Sequence, residues 1–99
     1  MRISILGGSG FLGTNLSKAL HEENISFNIF DIEKSKFFPE KTTVGSIRSI
    51  EDLKKIPDSN ILINLAAVHR DDVSPKSLYD EVNVDGSKKV CEYAKENNI

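Results

Sequence analysis

The sequence predicts an α/β fold: one parallel sheet with helices on both faces. Two strand–helix–strand successions lie within the first 65 residues, and each apolar run that reads as a strand is short, β-branched and closed by a glycine, an aspartate or small residues. The last of these runs, Asn60 to Leu65, is almost continuously apolar, as a parallel strand covered on both sides should be. With 38% hydrophobic and 28% charged residues, the 99-residue chain has the balance of a globular protein. It makes one small domain at most, or part of a larger one.

Arg2-Ile3-Ser4-Ile5-Leu6 alternates and runs into Gly7, which marks the first strand. From Phe11 the period changes: Phe11, Leu12, Leu16, Ala19 and Leu20 recur at spacings of three and four, one face of a helix that ends in the polar His21 to Asn24. Ile25 to Phe30 is the second strand and closes on Asp31. A charged loop follows, in which Phe37 and Phe38 are expected as half-buried anchors. Thr42-Thr43-Val44 is a short third strand ending at Gly45. Ser49 is a good N-cap with Glu51 and Asp52 in the first turn, opening a short helix through Ile56 that Pro57-Asp58 stops. After the fourth strand, Asn60 to Leu65, comes a polar loop from His69 to Ser74. Pro75 then opens a long helix with Leu78, Val82, Val90, Tyr93 and Ala94 on its apolar face, bent at Gly86 and ending in Asn97-Asn98.

Charge and cysteine content narrow the function classes. Thirteen basic and 15 acidic side chains nearly cancel, so no overall field draws the chain to nucleic acid or lipid. Cys91 is the only cysteine, which excludes an internal disulfide and the paired spacings of a zinc site, and its place in a helical pattern predicts a buried, inert thiol. A reducing, cytoplasmic setting fits, and the first residues already read as a strand rather than as a leader. The longest apolar stretch, Ile61 to Val68, is far shorter than the roughly 20 residues of a membrane span.

The stretch "ISILGGSGFLG" then carries the chemistry. Gly7, Gly10 and Gly13 stand where a strand hands over to a helix. The first glycine there lets the backbone turn sharply, the second lets it approach a pyrophosphate, and the third lets the helix pack closely on the strand. Free N–H groups and the helix dipole hold phosphate oxygens. Asp31, 18 residues beyond Gly13 at the end of the next strand, is placed to accept hydrogen bonds from an adenosine ribose and to repel a 2′-phosphate. NAD is the expected cofactor, with NADP less favoured, although Lys34 and Lys36 lie close by.

The motif Gly7-Gly8-Ser9-Gly10-Phe11-Leu12-Gly13 is GxxGxxG, and it resembles that of the extended short-chain dehydrogenase/reductases, in particular the NAD-dependent nucleotide-sugar epimerases and dehydratases. Phe11-Leu12-Gly13 is a common form of that loop. "NLAA" at Asn64 to Ala67 is similar to the fourth-strand ending with which the family lines the cofactor, here through Leu65, Ala66 and Ala67. "VHRDDVSP" follows as a histidine and polar loop do there, with His69 on the nicotinamide side, and "NVDG" at Asn83 to Gly86 looks like the family's Asn-Val-x-Gly. The resemblance covers the whole chain and implies a Rossmann-type sheet of order 3-2-1-4. One triplet departs: where the family has Gly-Asp-hydrophobic near adenine, this chain has Gly45-Ser46-Ile47, so that Ile47 can cover the ring while Ser46 offers a hydroxyl or serves as a plain loop residue.

The family's catalytic Tyr-x-x-x-Lys pair is absent: Tyr79 is followed four residues on by Asn83, and Tyr93 by Asn97. No catalytic or metal-binding residue is therefore expected. The resemblance implies the N-terminal part of an NAD(P)-binding domain, truncated before the fifth strand, from an enzyme that takes a hydride from a carbon of a nucleotide sugar and returns it. Such a part is expected to be inactive alone. It exposes Asn60 to Leu65 as an edge through which two copies can pair. A stand-alone NAD-binding regulatory or redox-sensing module is the alternative, and an unused nucleotide fold in a structural subunit is a third.

Overall fold

A computed structural model describes residues 1–66 and 86–99. β1 (Arg2–Leu6), β2 (Ser26–Asp31), β3 (Thr42–Val44) and β4 (Ile61–Asn64) form a four-stranded sheet of order β3-β2-β1-β4, the order expected. Every pairing is parallel. Leu6 lies opposite both Phe30 and Asn64, and Asp31 lies opposite Val44, so the four strands end along one edge. Whatever follows each strand is delivered there. The expectations for Ala67, the 69–74 loop, Pro75, Leu78, Tyr79, Val82 and Asn83 lie outside the described residues.

Alternation along the strands divides the core in two. Ile3, Ile5, Phe27 and Ile29 pack with Leu20 of α1 (Phe11–Glu22) and with Phe38 on one face. Leu6 and Phe30 pack on the other with Ile47, Ile56, Leu53 of α2 (Ile50–Leu53), and Val90 and Tyr93 of α3 (Gly86–Glu96). β4 serves both, Leu62 towards the second cluster and Ile63 towards the first. The α2/α3 face also carries a polar pair: Asn28 Nδ2 donates to Ser4 Oγ at 2.7 Å, and Ser4 bonds Ser59, whose hydroxyl is within 2.8 Å of the Pro57 carbonyl. The buried Ser4 hydroxyl is thereby satisfied, as burial requires.

Among the described residues, both long helices stop on an asparagine. Asn24 and Asn98 each have φ of 57°, and the next residues reach back, Ile25 N–H to Leu20 O (2.9 Å) and Ile99 N–H to Ala94 O (2.8 Å). This is the left-handed C-terminal cap for which asparagine is the usual substitute for glycine. The polar tails seen in the sequence thus have a structural role.

Four details of the sequence-based picture need correction. The buried stripe of α1 is Gly13, Ser17 and Leu20, while Phe11, Leu12 and Ala19 face outward. Close contact of Gly13 with the preceding loop fixes the helix rotation and overrides the apolar count. Of the two loop phenylalanines, only Phe38 is an anchor, 9% exposed and edge-on to Phe27 at 5.2 Å; Phe37 is 58% exposed beneath Lys18 Nζ. α2 ends at Leu53 and continues to Ile56 in tighter turns, with Lys55 N–H on Asp52 O and Ile56 N–H on Leu53 O. Pro57 disfavours helical geometry in the residue before it. Cys91 is exposed, since it stands about 100° round α3 from Val90.

Candidate nucleotide-binding site

The sheet order reverses beside β1, between the run β1-β2-β3 and the neighbour β4, and the carboxyl ends of the strands meet at this point. Such a switch point is where open α/β sheets bind ligands. Gly7 occupies it. Its N–H donates to Phe30 O at 2.8 Å, which carries the ladder one residue past β1, and its φ of +79° starts the turn. A Cβ on Gly7 would stand 2.6 Å from the Ala66 nitrogen and 2.7 Å from the Leu65 carbonyl carbon. Position 7 is therefore closed to side chains by conformation and by the passing end of β4.

Gly13 meets a second closed space, with its Cβ direction 2.6 Å from the Gly8 carbonyl carbon. Helix and turn touch backbone to backbone there. Gly10 is different. Its φ of −78° and ψ of −175° suit any residue, and a Cβ on it would meet only Gly7 O, at an ordinary 3.6 Å. Nothing among the described residues requires a glycine at position 10.

The helix that follows begins uncapped. Gly10 has no side chain to accept from the first turn, and no acidic residue lies within that turn. Helix geometry leaves the N–H groups of Phe11, Leu12 and Gly13 without intrahelical acceptors, at the positive end of the helix dipole. The side chains of Phe11 and Leu12 stand open beside them, 82% and 63% exposed.

Asp31 lies where the sequence placed it, and it is already engaged. Its Oδ2 accepts from the Ser9 N–H at 3.0 Å and its Oδ1 from the Glu33 N–H at 3.2 Å. A carboxylate can accept further bonds at each oxygen, so these contacts fix its position without exhausting it. Ser9 was not singled out by sequence reasoning. A polar residue between two glycines of the turn was the available signal.

At the end of β3, Ser46 is also tied down. Its N–H donates to Asp52 Oδ2 (3.0 Å) and its hydroxyl accepts from the Arg48 N–H (3.1 Å). The carboxylate beside this strand end thus belongs to Asp52, on α2. Ser49 caps that helix as expected, accepting from the Asp52 N–H at 3.2 Å. Ile47 turns inward, 6% exposed, against Gly86 of α3. At the end of β4, Leu65 and Ala66 are half-buried, Leu65 against the α1-side cluster and Ala66 against the other. Leu65 N–H donates to Leu6 O (2.7 Å), and Ala66 N–H to Asn64 Oδ1 (3.0 Å).

Tyr93 is a core residue, and burial, helped by the Asp58 carboxylate, pushes its phenol above the ordinary range. That environment opposes ionisation. Among the described residues there is no cluster of three or more potential metal ligands, and no helix is long and apolar enough to cross a membrane.

A parallel sheet with a glycine turn at its switch point, an uncapped helix and an acidic residue on the adjacent strand defines a Rossmann-type dinucleotide-binding unit. The profile of the NAD dependent epimerase/dehydratase family matches residues 3–99, and the chain belongs to that family. It is 39% identical over 100 residues to the N-acetyl-α-D-glucosaminyl-diphospho-ditrans,octacis-undecaprenol 4-epimerase of Escherichia coli O157:H7, covering 98% of this chain and 29% of that protein. Among solved structures it resembles a short-chain dehydrogenase/reductase superfamily protein of Agrobacterium tumefaciens with bound NAD (TM-score 0.89, 21% identity, all of this chain and 30% of that one). It also resembles the UDP-glucose 4-epimerase of Thermus thermophilus in complex with NAD (TM-score 0.86, 21% identity, all of this chain and 35% of that one). The chain spans under a third of the length of the curated relatives it matches. NAD is the cofactor of the family to which it belongs.

The Asp52 contacts carry a pH dependence. The Ser46 N–H, followed by the Lys55 side chain, lowers the Asp52 carboxyl below its ordinary value of 3.8. A carboxyl depressed in the folded state adds stability above the unfolded value and loses it as pH falls through the folded one. Asp52→Asn is expected to lower the urea midpoint at pH 7, with the gap to wild type closing as pH falls below about 4 and onward through the lowered folded value. Unfolding curves from pH 7 to pH 2 measure this, and a gap that stays constant would contradict it.

Proposed function

We propose that this chain supplies the adenosine-pyrophosphate half of the NAD site in a nucleotide-sugar epimerase or dehydratase acting in the cytoplasm. The observation that carries the reading is Gly10. Among the described residues the fold demands glycine at positions 7 and 13 and leaves open space over Gly10, which on this reading is kept for the cofactor. An anion is what the uncapped first turn of α1 calls for.

On this reading the N–H groups of Phe11, Leu12 and Gly13 hold phosphate oxygens, with Gly7 and Gly10 keeping the approach clear. Asp31 accepts from the adenosine ribose. Ser46 borders the adenine, with Ile47 as buried backing, and Leu65, Ala66 and Ala67 form the wall on the β4 side. NAD, when bound, supplies a carbon that takes a hydride from the sugar and gives it back. Proton transfer has no tyrosine–lysine pair in this sequence, so the chain by itself is expected to bind without turnover. The names of the Escherichia coli and Thermus relatives both specify a sugar joined to a diphosphate. A nucleotide sugar is the proposed substrate class of the whole enzyme.

The glycine reading separates binding from folding. Gly10→Ala is expected to leave the unfolding midpoint close to wild type and to weaken NAD binding about tenfold or more, the equivalent of roughly 1.4 kcal/mol. Gly13→Ala is expected to lower stability itself by about 1–3 kcal/mol through overpacking. Calorimetric titration with NAD and urea denaturation read the two effects, and a Gly10→Ala protein that binds NAD as wild type does would overturn the assignment. β4 is a sheet edge among the described residues, and a second copy of the chain is proposed to pair there. Light scattering at high concentration should detect a dimer; a strictly monomeric species counts against it.

A further inference from the structure

Asp31 is held by a closed ring of three hydrogen bonds, and Ser9 makes two of them. The Ser9 N–H donates to Asp31 Oδ2 (3.0 Å), the Ser9 hydroxyl donates to the Glu33 carbonyl (2.7 Å), and the Glu33 N–H donates to Asp31 Oδ1 (3.2 Å). One carboxylate oxygen is thereby pinned by the glycine turn and the other by the start of the loop after β2. The Ser9 hydroxyl is the only side-chain donor in the ring, and it joins the two segments directly.

We propose that Ser9 is a positioning residue that sets cofactor selectivity. By clasping the turn to the Glu33 segment it keeps the Asp31 charge fixed where the adenosine ribose lies, and so keeps out a ribose that carries a 2′-phosphate. The inference rests on the reading of this turn as an NAD site.

The surroundings explain why such a clasp matters. Beside the ring, between α1 and the loop after β2, opens a cleft of about 420 Å³ whose lining includes Lys18, Lys34 and Lys36, with Glu33 the one acidic residue among the described residues that line it. Lys18 leans on the Phe37 ring at 4.0 Å, and Lys34 and Lys36 are exposed. Ammonium groups gathered at a ribose site would welcome a 2′-phosphate as a charge-assisted partner. Selectivity for NAD then depends on a carboxylate that cannot turn away. Ser9 is half-buried, and its hydroxyl is engaged with the Glu33 carbonyl.

The test is titration of the full chain with NAD and, separately, with NADP, for wild type, Ser9→Ala and Ser9→Thr. In Ser9→Ala the NAD affinity should fall about two- to tenfold, the range of one neutral hydrogen bond. NADP should bind as before or more tightly, so that the NAD-to-NADP preference drops. Ser9→Thr, which restores the hydroxyl, should restore the preference. Should Ser9→Ala fail to fold, Ser9→Cys, close in size but with a much weaker donor to the Glu33 carbonyl, reads the same ratio. A ratio that does not move, whether both cofactors weaken together or neither changes, overturns the inference and leaves the NAD site standing. Wild type that binds neither cofactor overturns both.

Discussion

The backbone contact between Gly13 and Gly8 sets the geometry on which the rest depends. Because position 13 has no room for a side chain, α1 can lie directly on the turn that launches it, and only in one rotation. That rotation puts Gly13, Ser17 and Leu20 against the sheet and turns Phe11 and Leu12 outward. The same contact seats the uncapped first turn of α1 on the glycine loop, with its N–H groups directed along the helix axis. One close approach thus links packing to the uncapped start of α1.

Two carboxylates extend this order along the same edge. Asp31 joins the end of β2 to the turn through Ser9, and Asp52 joins the end of β3 to α2 through Ser46. In each case a carboxylate accepts a backbone N–H from a neighbouring loop, a charge-assisted bond stronger than its neutral counterpart. The strand-end loops are therefore braced against their neighbours before any ligand arrives. A preorganised site loses less ordering entropy on binding.

Strand positions, the glycine turn and Asp31 were legible because each follows from a short local signal: a period of two, a glycine spacing, an acid at a strand end; the sheet order was implied by the family resemblance. The expectations that failed were ones set by rotation about a helix or by the far side of a loop. Phe11, Leu12 and Ala19 fit an apolar face by spacing, yet backbone contact at Gly13 outweighs them. Cys91 lies one residue from buried Val90, and one residue on a helix is enough to change sides. Phe37 and Phe38 are adjacent in a loop where only one can reach Phe27. Ser9 escaped notice because its partners, 22 and 24 residues away, come near only when β2 lies beside β1.

The most direct test of the central claim is amide mapping of the isotopically labelled protein titrated with NAD. If the turn is a working phosphate site, the amide signals of Phe11, Leu12 and Gly13 and of Ala66 across the switch point should move in a saturable way. Those of Val90 and Tyr93, in the core behind α3, should stay in place. Saturable shifts confined elsewhere, or none at these positions in a folded protein, would contradict the account.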